Sequence, residues 1–314
     1  MNLKMISFNG LKLAEHYFKT YGLPLICDTF PGYKNRIAAG LVGLGSDCLG
    51  FDDELSRDHD WGPGFCLWLS KADYDLIGSA LMEAYNLLPK TFEGFERETS
   101  EWGNGRVGVF ETGAFYSDFI GRADTPETLY DWLRIPENGL SVCTAGKVFY
   151  DPLGEFSRIR EKLLAFYPDD VRIVKVAARC MAVGQSGQYN FIRSLRRHDY
   201  FAAQYAETKF CADVISLVYL LNHRYAPYYK WLLRGVNELP LLGAFSFEKI
   251  SAMVISNNYE QKKMLIDEIC AAVIRELQAE GLSASTSKFL ADHGPVIHEK
   301  IVDPTLRNLD VWIG

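Results

Sequence analysis

No stretch of the chain reaches the run of about 18 apolar residues that a membrane-crossing helix requires, and a protein that does not span a bilayer is expected. Cysteine is present but scattered. The seven thiols, at positions 27, 48, 66, 143, 180, 211 and 270, never fall at a C-x-x-C spacing. Neither a zinc cluster nor a disulfide framework is therefore expected, and a reduced, cytoplasmic compartment is predicted. Met1 to Leu13 lacks a basic segment followed by an apolar core and a small-residue cleavage site, so no secretory leader is read there. Internal repeats and low-complexity segments are missing. So are the G-x-x-x-x-G-K-[ST] loop, a G-x-G-x-x-G turn after a strand, H-E-x-x-H and G-x-S-x-G, and His223, His293 and His298 do not cluster as metal ligands.

What is present is an ordinary globular composition, 48% hydrophobic and 23% charged, over 314 residues, a length that suits two domains. The net charge of -7 is unevenly distributed. Residues 1–150 hold 13 basic and 21 acidic side chains, whereas residues 172–234 hold ten Lys or Arg against only Asp199, Glu207 and Asp213. An acidic half suited to cations is thus followed by a basic segment suited to phosphate; two solvated faces of opposite sign that help the halves dock would look the same.

The periodicity predicts an α+β chain. Helices are expected over 9–21, closed by Gly22 and Pro24, and over 71–88, with a further one starting at Thr125-Pro126-Glu127 and ending at Ile135-Pro136. Strands are expected over 38–44, across Asp58 and Asp60, over 65–69, over 106–111 with a continuation through Phe115–Ile120, and over 147–150. Residues 91–105 read as a loop. After Gly154 only helical spacing remains, with Gly184 and Gly187 bending one long helix, so residues 1–151 are expected to form a mixed α/β domain and residues 152–314 a helical bundle.

The stretch Gly45-Ser46-Asp47-Cys48-Leu49-Gly50-Phe51-Asp52-Asp53-Glu54-Leu55-Ser56-Arg57-Asp58-His59-Asp60-Trp61-Gly62 packs six acids into eighteen residues. If extended, its last part points Asp58 and Asp60 to one face, a pair suited to a divalent cation. Asp47, Asp52, Asp53 and Glu54 read as loop and capping residues. Arg57 reads as a phosphate contact or the salt-bridge partner of its acidic neighbours, and Trp61 as a base-stacking ring or a packing anchor for the turn.

A Gly-Ser turn and, after eleven intervening residues, Asp-x-Asp resemble the signature of the DNA polymerase β-like nucleotidyltransferase superfamily. The wording of residues 45–62, with Gly146–Gly154 and Leu221–Trp231, closely resembles a bacterial nucleotidyltransferase-like family catalogued as domain of unknown function 4037. The resemblance implies a fold like that of the kanamycin-type nucleotidyltransferases: a catalytic α/β domain and a helical bundle. It further implies two Mg²⁺ ions held by Asp58, Asp60 and a third acid on an adjacent strand, with Gly45 and Ser46 on the triphosphate of an NTP. Glu111 is the nearest third acid, although strand alternation favours position 108, which is Gly; Asp118 and Asp151 are further options.

In the helical half, Glu207 lies on an apolar stripe, either as the general base for an acceptor hydroxyl or as one side of an interhelical ion pair with an arginine. Arg224 and Lys230 are expected phosphate or acceptor contacts, though a tyrosine-packed interhelix turn would read alike, and Lys209 is expected to pair with Asp213. The resulting expectation is transfer of a nucleoside monophosphate from an NTP to a hydroxyl on a small molecule or RNA, with pyrophosphate released. The alternative is a nucleotide- or RNA-binding module that keeps the fold without the chemistry.

Overall fold

The computed structural model describes residues 9–58, 60–97 and 105–314. The first part of the chain runs α1 (Gly10–Tyr17), β1 (Ala38–Leu41), α2 (Ser46–Leu49), β2 (Cys66–Leu69), α3 (Lys71–Asn86), a two-stranded ribbon of β3 (Thr91–Phe92) and β4 (Phe95–Glu96), β5 (Gly108–Glu111) and α4 (Thr112–Ile120). Then come α5 (Leu129–Arg134), α6 (Glu137–Thr144), β6 (Lys147–Tyr150) and α7 (Glu155–Leu164). The remainder is helical: α8 (Asp169–Val183), α9 (Ile192–Arg196), α10 (Tyr200–Leu221), α11 (Leu232–Val236), α12 (Gly243–Ile255), α13 (Tyr259–Ala279), α14 (His293–His298) and α15 (Pro304–Arg307). The chain is α+β, a four-stranded mixed sheet with helices plus a helical unit.

Two compact units result, and they are interleaved. One runs through Thr125 and resumes at Gly139–Ala165; the other combines Pro126–Asn138 with Phe166–Gly314. The division expected at 151/152 thus falls inside the first unit, for a reason the sheet makes plain. Its order is β5-β2-β1-β6, with β1 antiparallel to β2 and β6 and β2 parallel to β5. Alternation sends Leu67 and Leu69 into a core with Leu13, Phe18, Ile37 and Phe65. Trp68 takes the other face, stacked on Phe156 of α7 with ring centroids 3.9 Å apart. Arg160 of α7 also donates to the carbonyls of Cys143, Thr144, Ala145 and Gly146, satisfying the end of α6. Helix α7 therefore completes the sheet unit.

The segment 126–138 belongs with the helices. Trp132 packs edge-on against Tyr167, and the Glu137 carboxylate accepts from Ser216 Oγ at 3.3 Å and from the Ala226 N–H at 3.2 Å. In this second unit α8 packs on α10 and α14. The expected bend at Gly184 and Gly187 is a π-helical segment over Gly184–Phe191 between α8 and α9.

Several local expectations give way. Phe115–Ile120 forms α4, not a strand, because the Glu111 carboxylate accepts from the N–H groups of Gly113 and Ala114 and starts a helix there. The first helix does not stop at Gly22: π-helical turns carry it on through Phe18–Gly22 and Leu25–Thr29, with Pro24 in helical backbone. The helix expected at Thr125 starts at Leu129 behind a Thr128–Asp131 capping box. Residues 91–96 form the β3–β4 ribbon, and 98–104 of that expected loop lie outside the described residues.

Candidate functional site

The strand placed across Asp58 and Asp60 does not form. Leu55–Arg57 is a 3-10 turn with Asp58 still in helical backbone, Asp60 has a positive φ of 54°, and β2 begins only at Cys66. The two carboxylates therefore sit on a turn before the strand and do not share a face by alternation. His59 between them lies outside the described residues.

Two half-buried arginines fix this turn. Arg97 donates to the carbonyls of Asp60 at 3.2 Å, Gly62 at 3.0 Å and Pro63 at 3.2 Å. Arg106 donates to the Asp60 carbonyl, to the Leu44 carbonyl at 2.7 Å and to the Asp47 carboxylate. Burial lowers the Arg97 pKa. For Arg106 burial pulls the same way, but Asp47 and the Cys48 thiol beside it reverse the sign and the pKa rises. One guanidinium thus spans Leu44, Asp47 and Asp60, which brings the Gly-Ser turn against the Asp-x-Asp turn. Gly45 makes this possible: its φ is 117°, and a Cβ there would overlap the Arg106 guanidinium.

Asp47, expected as a loop residue, is only 1% exposed and accepts from the Cys48 N–H at 2.8 Å as well as from Arg106. Asp52 accepts from the Gly10 N–H at 2.7 Å and from Trp61 Nε1 at 3.0 Å. Trp61 is the packing anchor of the turn, edge-on to Phe95, and Arg57 lies over its ring at 4.8 Å and over Phe95 at 5.5 Å. Arg57 thus lies against aromatic faces, where a phosphate contact or a salt bridge with its acidic neighbours was the expectation. Asp47 Oδ2 and Asp52 Oδ1 are buried with no hydrogen-bond partner. Arg97, Arg106 and Asp47 are the residues that sequence reading missed; the one available signal was an arginine on either side of the 98–104 segment, in an otherwise acidic half.

Glu111 is not brought to this turn. It pairs with Leu69, at the opposite end of the parallel β2–β5 pair from Cys66, about 10 Å along the strand, and its carboxylate caps α4. Position 108, where alternation would place a third acid, has φ 127°, and a Cβ there would lie 2.9 Å from the Met82 methyl. Asp151 caps α7 through the N–H groups of Gly154 and Ser157, and Asp118 is exposed on α4. Among the described residues no group of three His, Cys, Asp or Glu side chains is arranged to hold a metal.

Within the second unit, Glu207 is buried and both its oxygens accept from Lys262 Nζ at 2.7 Å. The ion pair is interhelical, α10 to α13, with lysine where an arginine was expected. Arg224 is exposed on the chain after α10, and Lys230 is exposed with its Nζ 5.1 Å from the Trp231 ring. Lys209 pairs with Asp213 at 2.7 Å, as its spacing predicts.

These features define an α+β protein whose mixed sheet carries a Gly-Ser turn joined by arginine to an acidic Asp-x-Asp turn, with a helical unit interleaved in sequence. Residues 132–232 match the family described as Domain of unknown function (DUF4037). Two of the three stretches that carried the resemblance, 146–154 and 221–231, lie inside that match, while the acidic stretch lies outside it. Among solved structures, the chain is similar to a nucleotidyltransferase-like protein from Exiguobacterium sibiricum 255-15, at 10% identity over 91% of this chain and 78% of that one, with a TM-score of 0.37. No curated protein matches the chain. No helix among the described residues is long and apolar enough to cross a membrane.

Proposed function

We propose that the sheet unit binds an NTP and transfers its nucleoside monophosphate to a hydroxyl acceptor, releasing pyrophosphate. The observation that carries this reading is Arg106, which joins the Gly-Ser turn to the turn bearing Asp58 and Asp60. Backbone N–H groups near Gly45 and the Ser46 hydroxyl would receive triphosphate oxygens, and Asp58 and Asp60 would hold Mg²⁺. The metal supplies charge compensation on the phosphates. Arg97 and Arg106 keep both turns in place by holding their carbonyls, so the acids need little reorganisation when nucleotide arrives.

The test is Asp58→Asn combined with Asp60→Asn. Mg²⁺-dependent pyrophosphate release should vanish while the melting temperature stays put; undiminished release would refute the assignment. A non-catalytic nucleotide-binding role is the second reading, favoured by Gly108, whose φ of 127° disfavours any side chain where a third acid would sit, and by the capping use of Glu111. It predicts a Mg²⁺-dependent thermal shift with NTP and no release of pyrophosphate.

A further inference from the structure

The turn from α9 into α10 carries arginines without ion pairs among the described residues, followed within the first turns of α10 by solvent-exposed rings. His198, with φ 58°, ends α9, and the N–H groups of His198 and Asp199 return to the carbonyls of Leu195 and Ser194 at 3.0 Å, so this turn is closed by its own hydrogen bonds. Arg196 and Arg197 are exposed and form no ion pair among the described residues, although the chain as a whole is acidic. The neighbouring Asp199 is used as the N-cap of α10, accepting from the Ala202 N–H at 3.0 Å. Directly beyond, Phe201 is 80% exposed and Tyr205 66%. These two are four residues apart on one helical face, about 6 Å along the axis.

Arginines at the end of α9 favour that helix electrostatically, which accounts for the charge. It does not account for a phenylalanine and a tyrosine left in water one turn apart. Positive charge next to free aromatic faces is what a single nucleic-acid strand requires: guanidinium groups for its phosphates and rings on which unpaired bases stack. A duplex keeps its bases stacked inside and cannot use the rings; an apolar protein partner has no use for the unpaired arginines.

We infer that the α9–α10 turn is a binding surface for single-stranded nucleic acid, with Arg196 and Arg197 on phosphates and Phe201 and Tyr205 stacking on bases. The surface belongs entirely to the helical unit and does not depend on nucleotidyl transfer.

The experiment is fluorescence anisotropy of a labelled 12-nucleotide oligouridine with the full chain, without NTP or Mg²⁺, so that an inactive enzyme would leave the result unchanged. Binding should weaken with salt, with a log–log slope of at least about -1.4 from the two phosphate contacts. Arg196→Ala with Arg197→Ala should remove about 1.4 of that slope. Phe201→Ala with Tyr205→Ala should weaken binding tenfold or more and leave the slope in place, whereas Phe201→Trp should retain affinity and show quenched tryptophan emission on binding. Absence of binding at 50 mM salt, equal affinity for a duplex of the same length, or indifference to both double variants would overturn the inference, as would capture by anionic vesicles in preference to the oligonucleotide.

Discussion

Arg106 reaches back 59 positions to the Asp47 carboxylate, and this ion pair is 13% exposed on one side and 1% on the other. Such a pair contributes little over an apolar substitute, but breaking it strands a buried charge. Arg106→Ala should therefore destabilise the protein by about 3–5 kcal/mol, read as a lower urea midpoint. Adding Asp47→Asn should recover part of the loss, because no charge is then left alone. Strictly additive costs would show that the two side chains are not coupled.

The Glu207–Lys262 pair obeys the same logic but bears on mechanism. Glu207→Gln alone should cost about 3–5 kcal/mol by leaving the ammonium buried. Glu207→Leu with Lys262→Met should be near neutral in stability. Because both Glu207 oxygens are occupied by the lysine, nucleotide turnover should survive in this double variant. A soluble, folded double variant that had lost turnover would restore Glu207 as a general base.

Thiol accessibility offers a direct check on the packing. Cys27 is exposed and the other six cysteines are buried, with burial pushing the Cys66 thiol up to about 12. At pH 8 a disulfide reagent should label one thiol promptly in the native protein and seven in denaturant. Fast labelling of two or more native thiols would contradict the buried placement.

Glu137 gives a pH signature. Burial, the largest influence, raises its pKa above the ordinary 4.5, against the hydrogen bonds from Ala226 and Ser216 that lower it. The native state thus binds the proton more tightly than the unfolded chain, and stability falls as pH rises from 4.5 through the raised value. Lys175 beside it is shifted down, again mainly by burial, so its contribution rises with pH only as the lysine's ordinary value of 10.5 is approached. Glu137→Gln keeps an acceptor for the Ala226 N–H and should flatten the fall that sets in above pH 4.5 in thermal melts. An unchanged slope would assign it to other groups.

Much of the fold was legible because it rests on local periodicity. The strand at 147–150 and the helix over 71–86 lie where the apolar spacing puts them, and the chain after Gly154 is helical, as its spacing predicts. The acidic turn was not, because its shape is dictated from afar: Arg97 and Arg106 act across 37 and 46 positions, and no short-range pattern reveals that two guanidinium groups will hold the Asp60 carbonyl. Asp47 was misjudged for the same reason, its burial depending on a cation 59 residues away. Phe115–Ile120 misled in the opposite sense. Its aromatics suit a strand, and the Glu111 cap that makes it a helix was instead read as a possible metal ligand.

The interleaving of 126–138 and 139–165 bears on how the chain can be divided. A fragment ending at 151 would lose Phe156 and Arg160 and leave Trp68 without its stacking partner; a fragment starting there would lose Glu137 and Trp132. Neither half is a cassette that can be shuffled, truncated or expressed as a contiguous piece. During synthesis the helical unit must wait for the sheet unit's last strand and helix to emerge before its own early segment, already translated, finds the partners that bury it.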